Sequence, residues 1–79
     1  MTEQEWREKF ARAVRCNMRN KLHIDQKELA YRSGLSEMTI SRYVRGERSP
    51  GAREIINLAI ALECTTDELI MFGDYITFD

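Results

Sequence analysis

One histidine, one proline, two cysteines and four glycines are spread over 79 residues, and aromatic side chains make up only 9% of the chain. So little histidine and cysteine leaves no clustered set of His, Cys, Asp and Glu and no Ser-His pair to act as nucleophile and base, and this argues against an enzyme. Cys16 and Cys64 fit no metal-ligand spacing and form no C-x-x-C pair, so they are read as two free thiols and no metal or other cofactor is expected. Cys16 falls away from the apolar side of the first helix, which leaves a redox-sensing thiol as the lesser alternative, since nothing in the sequence marks a lowered pKa. The longest nearly apolar run, Ile55 to Leu62, contains Asn57 and is far short of the roughly 20 residues that cross a bilayer. The first ten residues, MTEQEWREKF, lack the unbroken apolar stretch of a secretory signal, so a cytoplasmic location and no membrane partner are expected. Nothing marks a small-molecule ligand. With 43% hydrophobic and 32% charged residues the composition is that of a single globular domain, small enough that only about 60-65% of its unfolded surface is hidden on folding.

Base is also missing, but only from one end. No Lys or Arg follows Arg53, whereas Lys9 to Arg53 holds eleven of them against Asp25, Glu28, Glu37 and Glu47, a local balance of +7. Residues 1–8 contribute −2 and the segment from Glu54 onward −6, which together return the overall net charge of −1. The mean value conceals a dipolar chain. An anionic partner is drawn to the first two thirds and repelled by the rest, which orients docking.

Hydrophobic periodicity and end signals predict an all-α fold of five helices with short connections and no repeat or linker. The first spans about Glu3 to Leu22, with Trp6, Phe10, Ala13, Val14 and Met18 on one face, Arg12, Arg15 and Arg19 on the other, and Thr2 with Glu5 spaced as a capping box. A second runs from Gln26 to Arg32 behind Asp25. The third runs from Ser36 to Arg45, capped by Ser36 and stopped by Gly46. A fourth is expected to open at Ser49 and Pro50, the order that suits a first turn, and to bury Ile55, Leu58, Ala59 and Leu62. The fifth, about Thr66 to Phe72, follows Thr65 and ends at Gly73. The tail DYITFD alternates apolar and polar, and reads as a segment folded back on the helices or as a short strand pairing with a second copy. Residues 1–73 are therefore expected to form the domain and 74–79 a tail.

The stretch QKELAYRSGLSEMTISRYVRG carries the functional signal. Leu29, Ala30, Leu35, Ile40 and Tyr43 are spaced to meet between two steeply crossing helices, Ala30 being small where the helices approach, and Gly34 stands where positive φ is needed. That is the pattern of a helix-turn-helix. The outward positions of the third helix are then Glu37, Met38, Ser41, Arg42 and Arg45, with Ser36 and Thr39 at its first turn. Arg42 suits a bidentate contact to guanine O6 and N7, and Met38 suits a thymine methyl. Glu37 reads equally as an acceptor for a cytosine amino group and as an acid stabilising the helix N-terminus. Arg45, Arg48 and Arg53 cluster near the turn into the fourth helix and read as phosphate clamps or, alternatively, as a solvated basic surface.

These residues resemble the small helix-turn-helix domains of the phage repressor and Cro type. The likeness covers Val14 to Ile70, from Met18 and Arg19 through QKELAYRSGLS and TISRYVRGERSP to Ala59, Leu62 and TTDELI. It implies a compact five-helix, lambda-repressor-like DNA-binding domain, helices 2 and 3 forming the motif, that regulates transcription by binding a double-stranded operator as a homodimer. By correspondence Glu37, Met38 and Arg42 match base-reading positions, Gln26 matches a position that holds a phosphate and braces the reading helix, and Arg19 matches a position that supports the fold. His23 and Glu63 depart from the pattern, standing where glycines commonly follow the first and fourth helices. The dimer surface is expected to involve helix 5 and the tail, through Met71, Phe72, Ile76 and Phe78. An alternative function is a protein-interaction module, such as an antitoxin or antirepressor, whose acidic final third binds a basic partner.

Overall fold

The computed structural model describes residues 1–71, so the tail from Phe72 onward, and the strand and dimer roles expected of it, lie outside the described residues. Within them the chain forms five α-helices and no strand: α1 (Glu3–Cys16), α2 (Gln26–Ser33), α3 (Glu37–Val44), α4 (Ala52–Ala61) and α5 (Thr66–Ile70). None is long and apolar enough to cross a membrane.

The helix starts follow side-chain capping. Thr2 Oγ1 accepts from the Glu5 N–H at 3.1 Å, while the Glu5 carboxylate accepts from the Thr2 hydroxyl at 3.1 Å and from the Thr2 N–H at 3.4 Å, and the two bonds to the carboxylate hold the Glu5 carboxyl below its ordinary value. Asp25, Ser36 and Thr65 cap α2, α3 and α5 as their positions predict. The start of α4 does not. Its N-cap is Gly51, whose N–H donates to the Glu54 carboxylate at 3.1 Å. The expected cap, Ser49, is used elsewhere: its hydroxyl accepts from Arg7 Nε at 3.0 Å and donates to Glu3 Oε1 at 3.1 Å, tying the α3–α4 loop to α1. A hydroxyl three positions from an exposed helix N–H was outcompeted by a charged pair already gathered on α1.

The first helix also departs from a plain α-helix. It widens into a π-helical segment at Asn17–Leu22, where the Asn17 side-chain amide donates to the Ala13 carbonyl at 2.9 Å. That segment ends at His23, left-handed at φ 55°, with the Ile24 N–H returning to the Met18 carbonyl at 2.9 Å. Glu63 ends α4 in the same way at φ 56°, with the Cys64 N–H on the Ala59 carbonyl. Both positions therefore keep the backbone shape for which glycine is favoured, using other residues.

The core gathers Phe10, Ala13, Val14 and Met18 from the first helix with Leu29, Ala30, Ile40, Tyr43, Leu58, Ala59, Leu62 and Leu69. Trp6 stacks on Phe10 with ring centroids 5.4 Å apart, and Phe10 meets Tyr43 edge-on at 5.8 Å, the two arrangements the aromatic quadrupole favours. Through that chain of rings α1 grips the inner face of α3. Helix α2 packs on α3 and α4, and α5 closes the other side against α1 and α4. Ile55 is only half-buried, unlike Leu58, Ala59 and Leu62. Burial, with Glu68 nearby, pushes the Cys64 thiol up to about 11, which leaves it protonated and a poor nucleophile near neutral pH.

Candidate nucleic-acid interface

The α2–α3 corner is built from backbone rules before any functional residue enters. Gly34 follows Ser33 at φ 75°, its N–H on the Ala30 carbonyl at 3.0 Å, and a methyl group added there would meet nothing within 4 Å. Conformation alone selects glycine at this turn. The buried Ser33 hydroxyl bridges the corner, donating toward the Ala30 carbonyl and accepting from the Leu35 N–H at 3.3 Å. Sequence reading passed over Ser33, whose only signal is its place immediately before the glycine.

Helix α3 presents a buried and an open side. Ile40 and Tyr43 are at most 1% exposed and Val44 is half-buried, whereas Glu37, Met38, Arg42 and Arg45 are exposed and Ser41 is half-buried. Met38 exposes 64% of its surface in a chain that buries most large apolar residues. The Arg42 guanidinium makes no hydrogen bond or ion pair with any described residue. Burial raises the Tyr43 phenol above its ordinary value, with Glu54 adding to the effect and Arg48 opposing it.

Ser36 and Thr39 form the cap. Ser36 Oγ accepts from the Thr39 N–H at 3.1 Å and donates to Thr39 Oγ1 at 2.9 Å, so the two hydroxyls engage each other at the first turn. At the other end, Gly46 takes φ 71°, the Gly46 N–H returns to the Tyr43 carbonyl, and the Glu47 N–H to that of Arg42. Arg45 is not a free clamp here. Its Nε donates to the Ser41 carbonyl at 3.3 Å and its Nη2 lies 3.3 Å from Glu47 Oε1. Arg48 is exposed in the loop beyond, and Arg53 is exposed in the first turn of α4.

Gln26 is exposed in the first turn of α2, where it lines a shallow cleft with Arg15, Arg19 and Val44. The cleft brings the start of α2 beside the end of α3. Arg15, placed by its periodicity on the face of α1 opposite the apolar one, reaches the end of α3, its Nη1 donating to the Val44 carbonyl at 2.6 Å. A guanidinium at that place satisfies a terminal carbonyl and opposes the negative end of the helix dipole. Helical projection could not reveal it, because the partner lies 29 residues away.

Among the described residues no three His, Cys, Asp or Glu converge to hold a metal ion. A family model described as helix-turn-helix matches residues 17–69, about two thirds of the chain. No curated protein and no solved structure matches it.

Proposed function

The chain belongs to the helix-turn-helix family of DNA-binding transcription regulators, in a five-helix lambda-repressor-like fold, and from that premise we propose that it is a small phage-type repressor whose α3 enters the major groove of an operator. The observation that carries this reading is the open side of α3, where an unpaired Arg42 stands one turn from an exposed Met38. Arg42 reads guanine, Met38 packs on a thymine methyl, and Glu37 accepts from a cytosine amino group or steadies the helix start. Ser41 fills the surface between them, and Ser36 with Thr39 sets the first turn against the groove wall. Gln26, Arg45 and Arg48 take phosphates on either side, which fixes register without selecting sequence. Residues 1–73 act as the binding unit, and two copies engage half-sites about 34 Å apart.

Selection of bound fragments from random duplexes, followed by titration of variants, tests this. Arg42→Ala should weaken the selected site by about 1-3 kcal/mol and relax preference at one base pair. Arg45→Ala should weaken all duplexes alike. Identical preference profiles for the two variants contradict the assignment, and absence of salt-sensitive DNA binding would turn the reading to a protein-interaction module.

A further inference from the structure

Helix α4 leaves two isoleucines in solvent, Ile56 at 51% and Ile60 at 71% exposed, one turn apart on one side. Met1, Tyr31 and Met71 are also exposed but lie outside α4, and Met38 belongs to the α3 surface. The residues flanking the isoleucine pair give it a direction. Arg53, exposed in the first turn, falls within about 60° of Ile56 and Ile60 around the helix. Glu63, just past the last turn, keeps 65% of its side chain exposed, with its carboxylate 3.8 Å from Arg32 Nη1 and its carbonyl accepting from the Lys21 ammonium. Along the helix axis the order is therefore cation, isoleucine, isoleucine, anion.

That order is self-complementary about its own centre. Arg53 and Glu63 each lie five residues from Leu58, and Ile56 and Ile60 each lie two. Two such helices laid antiparallel across a two-fold axis set Ile56 of one against Ile60 of the other, and Arg53 of each against Glu63 of its mate. A parallel arrangement would oppose arginine to arginine and glutamate to glutamate, so charge selects the antiparallel one. A two-fold interface requires this property, because the same patch must serve both partners.

We infer that the Arg53, Ile56, Ile60, Glu63 edge of α4 is a homodimer surface, occupied by the same edge of a second copy. The inference rests on the two-copy part of the proposed function but concerns association without DNA. One helix edge covers less than the usual 1,600 Å² or so of a stable interface, so the dimer is weak and concentration-dependent. It uses neither helix 5 nor the tail, where the sequence places the expected dimer surface.

Sedimentation equilibrium of the full chain without DNA, from about 10 μM to 1 mM, tests it. The expected mass rises from 9.3 kDa toward twice that value. Ile60→Asp and Ile56→Asp should each abolish the rise without changing the melting temperature of the dilute chain, since both side chains are exposed in the monomer. Arg53→Glu should raise the dissociation constant about tenfold. Combining it with Glu63→Arg should recover most of that loss. Arg42→Ala should leave the mass curve unchanged, so that failure of DNA reading and failure of this surface are told apart. A wild-type mass constant across the range, or a rise that survives Ile60→Asp, overturns the inference. So does an Ile60→Asp chain that melts lower while the wild type stays monomeric, which would give the edge to residues 72–79 instead.

Discussion

His23 and Glu63 hold left-handed backbone at φ 55° and 56° without being glycine, whereas Gly34 and Gly46 hold φ 75° and 71° with it. The same geometry thus carries strain at two corners and none at the other two. A side chain in this region costs roughly 1 kcal/mol or more, so His23→Gly should raise the melting temperature by about 4-8 °C for each kcal/mol released, while Gly34→Ala should lower it similarly. Thermal unfolding of both variants checks the pair, and because space is open around Gly34, a loss there reports conformation rather than a clash. Glu47 sets a second residue-scale balance. It holds Arg45 in an ion pair whose members are both more than half exposed, an interaction worth at most about 1 kcal/mol. Glu47→Gln should release the guanidinium, tighten binding to every duplex by a few-fold, and steepen the logarithmic salt slope by about 0.9 if one more phosphate is neutralised.

Among the elements, α3 decides function, and its eight residues could not hold themselves. Four supports come from outside its sequence: the edge-on Phe10 ring, the Ser33 bridge before the turn, the Schellman-type stop at Gly46, and Arg15 on the Val44 carbonyl. Arg15→Met should cost about 1 kcal/mol of stability, since a charge-assisted bond in a partly exposed place falls at the low end of its range. Affinity for the preferred duplex should fall more than affinity for random duplex, with the salt slope unchanged, and Arg15→Lys should restore part of the loss. A slope reduced by about one would show Arg15 on a phosphate instead. The cap of α3 was legible because Ser36 and Thr39 sit three residues apart, a local relation. The start of α4 was not, because Ser49 is drawn to Arg7 and Glu3, more than forty positions away.

For the whole molecule, the split between a basic first two thirds and an acidic remainder matters more than the net charge of −1. If one copy neutralises about five phosphates, affinity should fall roughly 10²-10³-fold between 50 and 200 mM salt. A filter-binding or fluorescence titration series measures this directly. The packing of α1 on α3 and α5 and of α4 on α2 and α5 gives the domain no free-standing helix, so variants in the core should unfold it as one unit.

Periodicity, cap spacing and glycine placement determined from the sequence alone that the described residues are all helical, where the second and third helices turn, and which side of α3 faces out. Each of these depends on residues within one or two turns of each other, where local sterics and burial leave few alternatives. Tertiary structure alone decided that Arg15 anchors α3, that Arg45 is held by Glu47, that Ser49 serves α1 rather than α4, and that Ile56 and Ile60 stay in solvent. Long charged side chains have many rotamers and many possible mates, and an amphipathic helix does not announce how wide a stripe its neighbours will cover. Only the packed arrangement of the other helices makes those choices.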